Sequence, residues 1–198
     1  MPPNRPPAPR DPPPVPLVPI PLDDNSVLDR LLARRIVLLS GPLDHRLATD
    51  AAAQLMLLDA SGDDPIELHV SCPDGELEAA GMLAETIDLV GVEVRAMCRG
   101  TVGGPALAVL AAAHRRVAHA HALFRLTEPK VHMEGRADEL AVLVDAHQRQ
   151  LAALHQRLAA ATGRPVERIE ADMQSGRSLT AAAAVTYGLV HELVGPPG

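Results

Sequence analysis

From residue 36 onward, short apolar runs suited to strands alternate with longer runs suited to helices, and that alternation leaves few folds open. Ile36–Ser40 is a continuous apolar run closed by Gly41-Pro42, and Ala48–Leu58 has helical spacing that stops before Ser61-Gly62. Ile66–Cys72 alternates, with Ile66, Leu68 and Val70 on one side; Leu77–Val90 reads as a helix ended by Gly91, and Val92–Cys98 as a strand. Ala106–Ala113 is a helix of small residues and Ala122–Thr127 a further strand. Leu140, Leu143, Val144, Leu151, Leu154 and Leu158 mark a long amphipathic helix that ends at Gly163. A shorter helix follows Pro165, a residue suited to a helix start, and Leu189–Leu193 closes the pattern. Strands separated by helices predict an α/β domain with a largely parallel sheet.

The core of that domain has to be built without aromatic bulk. The 198 residues contain no Trp, one Tyr and one Phe, against 32 Ala. One domain is expected at this length. Residues 1–21 hold 11 of the 19 prolines, so residues 1–25 are expected to form a proline-rich, disordered tail. The folded domain is expected over residues 26–194, with a short tail at 195–198. Ser26 or Asn25 is expected to cap a short helix carrying Val27, Leu28, Leu31 and Leu32.

A net charge of -7 and the lack of stacking surfaces argue against a nucleic-acid partner. No apolar run approaches the ~18 residues of a spanning helix. A secretory apolar segment is also missing, because Val15–Leu22 is broken by three prolines. Two cysteines, Cys72 and Cys98, cannot make a disulfide framework. The expectation is a cytoplasmic protein with no membrane partner.

In α/β folds the working groups gather at the carboxyl ends of strands. Two strand ends carry turn-forming sequences that lead into helices: Ser71-Cys72-Pro73-Asp74-Gly75 and Arg99-Gly100-Thr101-Val102-Gly103-Gly104-Pro105. Free N–H groups at such turns attract an anion or oxyanion, although glycine-rich turns of this kind are also common as plain structure.

Several motifs, in order and at matching spacing, make the chain resemble ClpP, the proteolytic subunit of the ATP-dependent Clp protease. Asp29-Arg30-Leu31-Leu32-Ala33-Arg34-Arg35-Ile36 is similar to the family's S-R-L-L-K-E-R-I, and Ala53–Leu58 to A-Q-L-L-F-L. Val70–Gly75 corresponds to I-N-S-P-G-G, with ungapped spacing from there to Pro105. Thr162-Gly163-Arg164-Pro165 is similar to T-G-Q-P, and Tyr187-Gly188-Leu189-Val190 to Y-G-L-V. The resemblance runs from about Asp29 to Val194. It implies a ClpP/crotonase-like α/β fold of repeated β-β-α units, with a protruding handle strand and long helix.

The family's enzymes use a Ser-His-Asp triad. By the resemblance, the serine of G-Q-A-A-S-M-G falls at Gly104. The histidine of M-I-H-Q-P falls at Thr127, after a two-residue deletion near His114, and the aspartate at Gly176. The two oxyanion donors fall at Gly75 and Pro105, and a proline has no N–H to give. Nucleophile, base and orienting acid are therefore expected to be absent, with no catalytic residue, cofactor or metal in their place. Ser71, Cys72, Thr101 and Cys98 lie near the same strand ends, with His69, His114, His119 and His121 as the nearest bases. Nothing in the spacing pairs a nucleophile with a base, so the cysteines read as small buried hydrophobes and the last three histidines as solvated surface.

The resemblance also implies seven-membered rings stacked in pairs through the handle, here Lys130–Glu134 followed by a helix over Gly135–Ala161. Ala152, Ala153 and Ala159 would allow close approach there, while Val131-His132 replaces the family's glycine pair. ATPase partners of the family dock in aromatic pockets, and two of those tyrosines correspond to Glu67 and His69. The expected function is a catalytically inactive ClpP homologue, acting as a structural or regulatory subunit beside active ClpP paralogues and meeting a Clp ATPase only through them. Alternatives are a self-assembling scaffold or ligand-binding protein independent of Clp, an enzyme with crotonase-type chemistry, or an active Clp serine endopeptidase with its triad elsewhere.

Overall fold

Val37 and Leu39 of the first apolar run are buried while Leu38 between them is only partly so, the alternation of a strand with one face on a core. In the computed structural model, which describes residues 24–129 and 136–195, this run forms β1 (Ile36–Ser40). The strand joins β2 (Ile66–Ser71), β3 (Val94–Cys98), β5 (Arg115–His119) and β8 (Glu192–Val194) in a sheet of order β1-β2-β3-β5-β8, parallel throughout. A smaller sheet, β4 (Thr101–Gly103), β6 (Leu123–Arg125) and β7 (Ser178–Thr180), has β6 in the centre, parallel to β4 and antiparallel to β7. The proline-rich segment 1–21 and the handle strand Lys130–Glu134 lie outside the described residues.

The crossovers are α2 (His45–Ser61), α3 (Leu77–Leu89) and α4 (Ala106–Ala112), which pack side by side. On α2 the buried positions Ala48, Ala51, Leu55 and Leu58 recur at helical spacing. This helix starts three residues before the predicted Ala48, because the Asp44 carboxylate accepts the Leu47 N–H at 2.8 Å and caps it. The order strand, short strand, helix occurs twice: β3-β4-α4, then β5-β6 and the long α5 (Ala137–Thr162). The chain ends through α6 (Val166–Gln174), β7, α7 (Ala181–Tyr187) and β8. This is the mixed α/β architecture expected of the ClpP fold.

The structure departs from the sequence reading at several elements. The first helix, α1, spans Asp24–Leu32, so Asn25 and Ser26 lie inside it rather than ahead of it. Its Val27 and Leu28 are exposed, and Leu31 and Leu32 are half-buried. Strands β4, β5 and β7 and helix α7 carried no clear periodic signal. The last strand begins at Glu192, not Leu189, because Leu189 and Val190 are buried ahead of it. Strand β5 is a special case: its Arg116 is only 7% exposed, donating to the carbonyls of Leu189 (3.0 Å), Ala161 (3.0 Å) and Ala113 (3.4 Å).

Candidate functional site

The turn after β2 and the turn around β4 are locked to each other through their backbones. Gly103 N–H donates to the Cys72 carbonyl at 2.9 Å, and Leu43 N–H donates to the Asp74 carbonyl at 3.0 Å. The approach is close enough to need glycine: a Cβ on Gly103 would lie 2.7 Å from the Pro73 carbonyl oxygen, and one on Gly75 would lie 2.7 Å from the Leu43 Cβ. Two further segments close in from the small sheet. Gly104 N–H donates to the Arg125 carbonyl at 3.0 Å, and Leu126 N–H to the Arg177 carbonyl at 2.8 Å.

Gly104, Thr127 and Gly176 thereby become neighbours. Gly104 has φ +54° and sits buried on the sharp turn between β4 and α4, the backbone setting of a nucleophile elbow. A Cβ there would lie 3.6 Å from Thr127 Oγ1, and a Cβ on Gly176 would lie 3.8 Å from Thr127 Cγ2. Pro105, with φ -58° and ψ -27°, occupies the N-cap of α4 in helical conformation and presents no donor. The Gly75 N–H is already taken: it donates to Asp74 Oδ1 at 2.8 Å. The cluster therefore contains one carboxylate and one neutral hydroxyl, and among the described residues no hydrogen bond joins that hydroxyl to a base.

The possible substitutes lie elsewhere or are inert. Cys72 and Cys98 are both buried free thiols. Burial pushes the Cys72 thiol up to about 11 and the Cys98 thiol up to about 12, so neither supplies thiolate near neutral pH. His69 is held between Glu67, at 3.3 Å, and the Arg99 guanidinium; burial first, and Arg99 further, lower its pKa against the pull of Glu67. His114 Nδ1 accepts the Val94 N–H at 3.2 Å, while His119 and His121 are exposed. Among the described residues no hydrogen bond joins a histidine to Ser71, Cys72, Thr101 or Cys98, and no group of His, Cys, Asp and Glu could hold a metal ion.

A sequence model of the Clp protease family matches residues 23–196. The chain belongs to the Clp protease family. It is 32% identical over 179 residues to ATP-dependent Clp protease proteolytic subunit 1 of Frankia casuarinae, a match covering 88% of this chain and 83% of the relative. The protein of the same description from Mycobacterium bovis is 31% identical over 179 residues, covering 86% of each chain. Within this Clp family fold, two features beside the cluster were missed in the sequence. One is the Asp74–Gly75 contact just described. The other is a buried polar group four residues before Gly176: Asp172, 5% exposed, accepts from Tyr187 Oη at 2.8 Å, from Arg177 at 3.0 Å and from Arg168 at 3.1 Å. Only the i,i+4 spacing of Arg168 and Asp172 hinted at it.

The long helix α5 divides along its length. Leu154, Leu158 and Ala159 are buried against the domain, whereas Val142, Leu143 and Val144 are exposed, Val142 by 66%. Of the alanines read as close-approach positions, Ala159 packs within the fold and Ala152 and Ala153 face outward. His155 of α5 is also buried, with Glu170 Oε1 3.6 Å from Nδ1 and Glu128 Oε1 4.0 Å from Nε2. Among the described residues no helix is long and apolar enough to cross a membrane.

Proposed function

We propose that this Clp family member is a non-catalytic subunit that assembles with active ClpP paralogues into a mixed double ring. The observation that carries the reading is the meeting of Gly104, Thr127 and Gly176 around one elbow, where acyl transfer would need nucleophile, base and acid. Gly104 has no side chain, Thr127 has no proton-accepting group near neutral pH, and Gly176 has no carboxylate. Pro105 adds the loss of a backbone donor, a change that typically costs about 2.7–4 kcal/mol of transition-state stabilisation. The elbow and the helices around it are intact, so the fold is kept while the chemistry is not.

Assembly is what this scaffold can still contribute. The exposed Val142-Leu143-Val144 segment of α5 is an apolar surface of the kind that partner subunits cover. On β2 the charged Glu67 and the polar His69 offer an ATPase loop little apolar area, so recruitment of an unfoldase falls to the active members of the ring. The working compartment of such a complex is the cytoplasm.

The test is native mass spectrometry of the tagged chain isolated from its own host. The expected result is a mass of roughly fourteen subunits that contains ClpP paralogues carrying the triad. A homomeric ring or a monomer would overturn the mixed-ring reading and favour an independent scaffold. Labelling of the purified, unsubstituted chain by a serine-reactive fluorophosphonate would overturn its inertness.

A further inference from the structure

The vacated cluster is not empty space, because Asp74 points into it. One oxygen, Oδ1, lies 2.8 Å from the Gly75 nitrogen and 2.7 Å from where a Cβ on residue 104 would stand. The latter is shorter than a real Cβ contact, so a side chain at position 104 would require this exposed carboxylate to turn out of its observed position. The Asp74 carboxylate is exposed and is held in this position by the Gly75 N–H. Its backbone is fixed on both sides, by Leu43 N–H on the Asp74 carbonyl and by Gly103 N–H on the Cys72 carbonyl, with the Pro73 ring between them.

We propose that Asp74 is a resident occupant of the site and sets what it admits: its carboxylate takes the N–H that an acyl oxygen would need and fills the room of a nucleophile's side chain. This rests on the reading that Gly104 stands at the nucleophile position. The motif similar to residues 70–75, I-N-S-P-G-G, has glycine where this chain has Asp74, so the occupant and the loss of a side chain at 104 form a complementary pair. A negative charge there also repels a carboxylate or a developing oxyanion at the place where catalysis would gather one. Restoring the three triad residues and a donor at 105 is then not enough to restore acylation.

Two measurements test this. The first compares fluorophosphonate labelling of the quadruple variant Gly104→Ser, Pro105→Met, Thr127→His, Gly176→Asp with the same variant also carrying Asp74→Gly. The expected result is labelling faster by about tenfold or more when Asp74 is removed. Labelling of both at the same measurable rate would overturn the proposal. The second is a thermal-unfolding cycle of Gly104→Ala, Asp74→Gly and the double variant in the full chain. Strain from the positive φ is common to both backgrounds and cancels, so Gly104→Ala should lower Tm less when Asp74 is absent. Equal drops would overturn the mutual exclusion. Coupling in the cycle without labelling of either serine variant would leave Asp74 in place and refute the triad placement.

Discussion

At the scale of single residues, the buried carboxylate Asp172 is the polar centre that joins Tyr187, Arg177 and Arg168. Burial alone would raise its pKa, but the Tyr187 hydroxyl, then the Arg177 and Arg168 guanidiniums, outweigh that and hold it below the usual carboxylate range. A carboxyl lowered in the fold contributes stability that is fully present above its unfolded value, near ~4, and lost as pH falls through the folded value. Tyr187→Phe removes the 2.8 Å bond and should cost about 1.5–3 kcal/mol at pH 7, read as a lower urea midpoint at unchanged slope. The gap from the unsubstituted chain should narrow below pH ~4. The phenol itself is pushed up to about 12 by burial and by Asp172, so its share of stability is present below its ordinary value of ~10 and lost as pH rises beyond it. Little of this could be read from one sequence, because Tyr187 reaches Asp172 only once α7 has folded back on β6 and β7. Gly104, Thr127 and Gly176 were different. Motif order alone singled them out, and the fold then makes them neighbours.

At the scale of elements, β5 marks where periodicity stops being informative. Arg115-Arg116-Val117-Ala118-His119 reads as surface, yet it is an inner strand of the main sheet. Arg116 makes this possible by giving its guanidinium to three carbonyls, from the α4 end, the α5 end and the segment before β8. Arg116→Ala would leave buried acceptors without donors and should destabilise by about 2–4 kcal/mol in a urea titration. Arg116→Lys should recover only part of the loss, since an ammonium lacks the forked geometry. The strands and helices that were legible, β1, β2, β3, α2 and α3, owe their signal to one face on one core. Short strands of three residues, such as β4 and β7, have no room to show a period. For α5 the stripe was legible but its division was not: burial of the second half depends on α4 and α6, which the helix meets only in three dimensions. Leu143→Glu should change the stability of the isolated chain by no more than about 0.5 kcal/mol and prevent its entry into larger assemblies, measured by sedimentation.

For the molecule as a whole, the consequence of the proposed role is dilution of active sites. In a mixed ring, the number of fluorophosphonate adducts per assembly should fall one for one with the number of copies of this chain, as counted by intact mass. An excess of adducts over triad-bearing subunits would mean that this chain reacts as well. There is also an optical consequence of where Tyr187 lies. It is the one tyrosine in a chain without tryptophan, buried with its ring 4.0 Å beneath the Arg164 guanidinium. Excited at tryptophan wavelengths, this subunit is dark. Any such emission from a mixed ring therefore originates in its partners, whose surroundings can be followed without labelling, while this chain's own copies must be counted by mass and not by absorbance.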